Sequence, residues 1–382
     1  MRGSIVIDLQ FGSTGKGLIA GHLAERDSPD TVLTAWAPNA GHTYIDGKGT
    51  KYVHTMLANG IVSRRLDRVM MGPGSLIDPV ALKAEIDAAG TLLRGVDILI
   101  HPNAAIVTQE HRDLEAGPMT KIGSTKKGVG EAMIQRIRRN PDDMNTAGIV
   151  DSEGRLKAHP LLAEHGLHGH LATHEEWHNA MATARRVLVE GAQGYSLSMY
   201  HGFYPYCTSR DVSTHQVLAD VGIPPKAARS LIVIGTVRSF PIRVANRFDG
   251  AGKQVGWSGP CYDDQRELDW MLDLGREAEL TTVTKLPRRI FSLSHKQLAE
   301  ATLQCGADEI FLNFVNYCKN PLDAQRLLVA VRQTVGLRGA ELRYIGMGPT
   351  ERDVIDLRDF PAGAHSQELL AAMAPYFPGA SA

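Results

Sequence analysis

The stretch Ser4-Ile-Val-Ile-Asp-Leu-Gln-Phe-Gly-Ser-Thr-Gly-Lys-Gly17 constrains this chain more than any other. Ser4 to Leu9 is a short apolar run that stops at a glycine-rich turn, the pattern of a buried strand feeding a loop. Gly12, Gly15 and Gly17 allow a tight turn whose N–H groups aim at one point. Leu18 to Glu25 reads as a helix leaving that turn, so its N-terminus favours an anion at the same point. Lys16 adds a full positive charge, and the chemistry is that of a phosphate. A Walker A loop places four residues between its first glycine and Gly-Lys, whereas two separate Gly12 and Gly15 here. Taken alone, the segment also fits a plain strand-to-helix turn.

A second strand, Thr31 to Trp36, delivers Pro38-Asn-Ala-Gly-His-Thr43 at its carboxyl end. Ligands of open parallel sheets sit at the carboxyl ends of strands, so the two loops are expected to meet. Further glycine-rich or chemically loaded segments follow. They are Lys121-Ile-Gly-Ser-Thr-Lys-Lys-Gly-Val-Gly130, Glu190-Gly-Ala-Gln-Gly194 with His201-Gly-Phe-Tyr-Pro-Tyr-Cys-Thr-Ser209, and Thr282-Val-Thr-Lys-Leu-Pro-Arg-Arg289. With Gly-x-x-Gly-Lys-Gly and Asn-Ala-Gly-His-Thr, these motifs resemble the adenylosuccinate synthetase family along most of the chain. The departures resemble its phage branch, which takes dGMP in place of IMP.

That resemblance implies roles. Lys16, His42 and Gln193 would be catalytic, with Ser13 standing where the family carries its aspartate base. The monophosphate nucleotide would contact Ser13, Asn39, Ser124, Thr125, Gln193, Thr208 and Leu286, together with Arg139 from a partner subunit of a homodimer. Thr284, Arg288 and Arg289 would clamp the carboxylates of L-aspartate, as arginines suit. The triphosphate would lie on Gly12, Ser13, Thr14, Gly15, Lys16 and Gly17, with Gly41, His42 and Thr43. Its base would meet Asn313, Asn316 and the loop Gly346, Met347, Gly348 and Pro349. The family reads guanine with an aspartate. Asn313-Phe-Val-Asn316 offers amides instead, so ATP or dATP is expected over GTP. Mg²⁺ is the implied cofactor, with Ser13 and Gly41 as protein ligands. Ser13 leaves room for a purine C2 amino group, and Leu286, replacing a family arginine near the ribose 2′-hydroxyl, suits a deoxyribose. Asp8 is a candidate replacement base by its closeness in sequence.

The expected fold is α/β, one domain over residues 1–382, with a large, mainly parallel central sheet and helices on both faces. Residues 247–280 read as polar and helical, and Glu309 to Tyr317 as the last obvious strand region. With 41 basic and 42 acidic residues, no strong field draws the chain to polymeric nucleic acid or membrane. No apolar run approaches the ~18 residues of a membrane span. No room for a signal peptide precedes the first strand, and the four cysteines lack Cys-x-x-Cys spacing, so a reducing cytoplasm is expected. Three other readings compete. One is an ordinary synthetase using IMP and GTP, and another a relative that binds nucleotide without catalysis. The third is a zinc hydrolase, from His174-Glu-Glu-Trp-His178.

Overall fold

The computed structural model describes residues 1–116, 125–281, 285–360 and 366–377. The strand expected before the glycine turn is Arg2–Asp8 (β1), and the second is Thr31–Thr34 (β2). Arg68–Met71 (β3), Asp97–Ile100 (β4), Arg186–Glu190 (β5), Leu231–Arg238 (β6) and Glu309–Asn313 (β7) follow. Two more lie beyond the expected last strand, Glu341–Gly346 (β8) and Val354–Asp356 (β9). Among the described residues these form one nine-stranded sheet ordered β9-β8-β7-β6-β1-β5-β2-β3-β4. Every pairing is parallel except β8 with β9.

A sheet covered on both faces buries most of each central strand, which is why β1 and β5 read as continuous apolar runs. Val6, Val32, Val69, Leu188 and Ile234 point to one face, where they pack with Leu18, Ile19 and Leu23 of the helix Lys16–Asp27 (α1). Ile5, Leu33, Val187 and Val189 point to the other, against Trp177 of the helix His174–Thr183. Ile7, Ile310 and Leu342 share that face with Leu298 and Leu328 from the helices His295–Cys305 and Pro321–Gly336. Each fully buried aliphatic side chain contributes about 2 kcal/mol. A one-residue slip of any central strand would turn its apolar set outward, so burial fixes the register.

Residues 247–280 are not helical. They hold the short strands Arg247–Phe248, Gln254–Gly256 and Glu267–Leu268 joined by turns. Gly250, Gly252, Gly259 and Pro260 punctuate the segment, and the Asp249 side chain accepts from the N–H groups of Ala251 and Lys253. Such side chain-to-backbone bonds compete with a helix. His42 also differs from expectation: it opens a strand, His42–Ile45, paired antiparallel with Lys51–His54.

Candidate functional site

Register brings polar side chains to the carboxyl ends of the central strands. Asp8 pairs with Thr236, Glu190 with Thr34, and Arg238 with Asn313. Charged groups at that depth need partners. Asp8, 1% exposed, accepts from the N–H groups of Gln10 (2.9 Å) and Gly12 (3.3 Å), the Thr14 hydroxyl (2.5 Å) and the Lys16 ammonium (2.9 Å). The structure thereby corrects the reading of Asp8 as a base: its oxygens are committed to the glycine loop, with a cation beside them. Lys16 also donates to the Gln193 carbonyl at 2.8 Å, and the Gln193 amide donates to Asn39 at 3.1 Å. The loops after β1, β2 and β5 therefore meet at one crest.

The glycine loop turns through Gly12 (φ 89°) and Gly15 (φ 93°), with Ser13 also left-handed at φ 57° and exposed. A side chain at Gly15 would land on the Asn313 amide. Six of the seven non-glycine residues with positive φ among the described residues fall in segments singled out for chemistry: Ser13, Lys126, Arg139, Gln193, Lys285 and Phe314. Strain of this kind collects at functional sites, where surrounding contacts hold it. No side chain caps the N-terminus of α1. Its free N–H groups, the turn and Lys16 make an anion site.

His42 is buried against Trp36, ring centroids 4.0 Å apart, and its Nδ1 has no partner among the described residues. Burial, then the charges of Lys16 and His54, hold its pKa well below the usual 6.5. The ring is therefore neutral and acts as a hydrogen-bonding group rather than as a standing acid.

The remaining expected residues divide. Gly41, Thr43 and Pro349 are exposed, and Asn39, Thr125, Thr208, Asn316 and Gly348 are half-buried. Ser124 and Thr284 lie outside the described residues. Arg139 is exposed, closing the helix Val129–Arg138 in a left-handed turn. Leu286 is exposed and bonds through its backbone to Thr281. Arg288 has no hydrogen-bonded side-chain partner among the described residues, and burial lowers its pKa. Arg289 is committed elsewhere, paired with Glu267 at 2.6 Å and donating to Ser258 and Gly259. Asn313 is buried between Gly15 and Gly346, donating to the Thr14 carbonyl (3.3 Å) and accepting from the Phe314 N–H (2.8 Å). Its amide holds the glycine loop. Met347 is buried and donates its N–H to Asp353.

Three charged residues assigned no role from the sequence, Glu190, Arg238 and Glu279, lie at or beside these strand ends. Glu190 ends β5, and Arg238 ends β6 and pairs with Glu279 at 2.6 Å. The available signal was a lone charged residue at the carboxyl end of an apolar run, since such groups are rarely buried without a partner.

The His174-Glu-Glu-Trp-His178 reading finds no support. Among the described residues no group of three His, Cys, Asp or Glu could hold a metal. His174 begins a helix capped by Thr173 and packs edge-on against His101.

Comparison with known proteins decides the family. The adenylosuccinate synthetase family model matches residues 5–165 and 150–330. The chain belongs to the adenylosuccinate synthetase family. The N6-succino-2-amino-2′-deoxyadenylate synthase of Salmonella phage PMBT28 is 51% identical over 94% of this chain and 98% of its own. The adenylosuccinate synthetase of a Pyrococcus species is 30% identical over 94% and 99%. Among solved structures, the cyanophage S-2L succinoaminodeoxyadenylate synthetase, bound to dGMP and dATP as an energy donor, superposes with a TM-score of 0.84. It is 42% identical and covers 98% of this chain and 99% of that one. The Plasmodium falciparum adenylosuccinate synthetase shares the fold at a TM-score of 0.73 and 20% identity.

The family implies Mg²⁺. The donors at the crest are a serine hydroxyl on Ser13 and backbone carbonyls such as that of Gly41, both exposed. Hard oxygen donors fit a magnesium ion that keeps waters and substrate phosphates as its other ligands.

Proposed function

We propose that this enzyme joins L-aspartate to C6 of dGMP, using ATP or dATP, through a 6-phosphoryl intermediate. The product is N6-succino-2-amino-2′-deoxyadenylate. The observation that carries the reading is Ser13, whose short side chain is exposed at the tip of the glycine loop. An aspartate at this point would crowd and compete with the purine C2 amino group. A serine leaves space and an acceptor for it. The phage relative named for this reaction and the cyanophage structure bound to dGMP and dATP support the same choice.

In the first step the γ-phosphoryl group moves to O6 of the base as its bond to the nucleoside diphosphate breaks and the N1 proton passes to solvent. The α1 N-terminus and the loop N–H groups, fixed by Asp8 and Lys16, stabilise the charge that develops on the phosphoryl oxygens without reorganising. Mg²⁺, held by Ser13 and Gly41, would supply charge neutralisation at the phosphates. Gln193, anchored by Asn39, faces the base edge, and His42 hydrogen-bonds the phosphoryl side. In the second step the aspartate amine attacks C6 and phosphate leaves. Arg288 and Thr284 hold the aspartate carboxylates, and Leu286 lies along the deoxyribose. Asn316 and the loop 346–349 cover the adenine of the donor.

We extend the proposal to a homodimer in which Arg139 reaches the partner's site. Ile134 and Ile137 on the helix before Arg139, and Met144 after it, are 41%, 68% and 55% exposed, an apolar surface suited to a second copy.

The test offers dGMP, GMP, dIMP or IMP separately, with Mg²⁺, L-aspartate and ATP, and measures phosphate and succinylated product. Product from dGMP is the expected result. Product from IMP with GTP as the required donor would return the protein to ordinary purine synthesis, and no product from any would leave a nucleotide binder.

A further inference from the structure

Arg238 touches three parts of the molecule that the proposed reaction needs together. Its guanidinium is 1% exposed and donates to the Ser13 carbonyl on the glycine loop at 3.2 Å. It pairs with Glu279 at 2.6 Å, and Glu279 also accepts from the Tyr317 hydroxyl at 2.8 Å. Phe314, left-handed after β7, lies under it with its ring centroid 3.9 Å away. The Arg238 backbone exchanges hydrogen bonds with the Gln10 amide, at 2.9 and 3.3 Å.

Glu279 begins a hairpin stem. The Arg288 N–H donates to the Glu279 carbonyl at 2.8 Å, and the Thr281 N–H to the Leu286 carbonyl at 2.9 Å. Arg276, just before the stem, donates to the Asn316 carbonyl. The stem thus carries Leu286 and Arg288, and one guanidinium fastens its base to the glycine loop. Burial works most strongly against the Glu279 charge, yet Arg238, the Tyr317 hydroxyl and Arg288 together keep the carboxyl below its usual range.

We propose that Arg238 is a positioning residue that fixes the distance between the glycine loop and the stem formed by residues 279–281 and 285–288, so that the aspartate amine, and not water, meets the phosphorylated purine. This rests on the reaction proposed above. When the amine attacks C6, a C–N bond forms and the C6–O bond breaks, the oxygen leaving with phosphate. Water attacking in its place returns dGMP and phosphate, and the nucleoside triphosphate is hydrolysed without product. A loosened hairpin therefore shows itself as phosphate release that exceeds ligation, which general destabilisation would not produce.

Arg238→Met, Glu279→Gln and Tyr317→Phe test this, with Glu279→Asp as the conservative variant. Phosphate and succinylated product are measured in the same reaction, with KM for each substrate. The wild type is expected to release one phosphate per ligation. Arg238→Met and Glu279→Gln are expected to release several times more phosphate than product and to lose ~100-fold in ligation, the scale of a 1 Å misplacement. Their KM for L-aspartate should rise while that for dGMP holds within about two-fold, and Glu279→Asp should restore part of the coupling. Tyr317→Phe removes one hydroxyl and reports a smaller change in the same direction where Arg238→Met does not fold. A ratio that stays at one in Glu279→Gln and Tyr317→Phe overturns the proposal. Should the wild type make no product, the reaction itself is misread. Hydrogen exchange then decides the positioning role alone: Glu279→Gln must speed exchange in both 10–17 and 276–281, and unchanged exchange refutes it.

Discussion

Glu190 offers the most quantitative prediction. It is 0% exposed at the end of β5. One carboxyl oxygen accepts from the Gly60 N–H at 2.7 Å, and the other has no partner among the described residues. Burial pushes its pKa up from the usual 4.5 to about 7, against the opposing pull of the Gly60 N–H, the neighbouring Asn59 and the Lys16 charge. The folded protein thus keeps this proton to higher pH than the unfolded chain does. Stability on this account is greatest below pH 4.5, falls as pH rises through about 7, and levels off above. At about 1.4 kcal/mol per tenfold change in proton binding, the difference between 4.5 and about 7 amounts to roughly 3 kcal/mol. Glu190→Gln keeps the shape and removes the titration. Denaturant unfolding of both proteins from pH 4.5 to 8 isolates the effect, because every other titrating group cancels in the difference. The stability of the wild type relative to Glu190→Gln should decline by about 3 kcal/mol from pH 4.5 to 8. A difference that does not change with pH would refute the reasoning.

Other substitutions probe the glycine loop. Asp8→Asn leaves the Lys16 ammonium buried beside a neutral amide, and thermal unfolding should show a loss of about 3–5 kcal/mol together with loss of turnover. Gly15→Ala places a methyl group on the Asn313 amide at φ 93°, so unfolding should show a cost of about 1–3 kcal/mol and steady-state assays a sharp fall in turnover. Ser13→Asp should lower activity with dGMP and gain activity with IMP. Full activity with dGMP and none with IMP would sink the role given to Ser13.

Much of the fold was legible because parallel strands buried on both faces leave uninterrupted apolar runs. The segments around Val6, Leu33 and Val189 declared themselves this way. Residues 247–280 did not, since a mixed-charge stretch reads equally as a solvated helix face or as turns, and only the cluster of Gly250, Gly252 and Gly259 distinguishes them. The loops after β1 and β2 could be placed together from strand ends alone, whereas the loop after β5 was tied to them only by the family resemblance. Long-range polar partners could not. Nothing local ties Arg238 to Ser13 or Glu279, or Glu190 to Gly60, because β6 and β5 reach β1 only through the sheet order. For the same reason Asn313 looked like a base reader. Its neighbours Gly15 and Gly346 lie far away in sequence and enclose it only once β7 stands beside β6 and β8. Arg289 looked free until Glu267 was brought opposite it by the pairing of Glu267–Leu268 with Arg289–Phe291.

The central claim is that the purine 6-oxygen leaves as phosphate and is replaced by the amine of L-aspartate. The most direct measurement supplies dGMP labelled with ¹⁸O at position 6, together with L-aspartate, ATP and Mg²⁺, and follows the label by mass spectrometry. The account predicts one labelled oxygen in each phosphate released, matched by an equal amount of succinylated nucleotide. Unlabelled phosphate, or label retained in the nucleotide product, would contradict it.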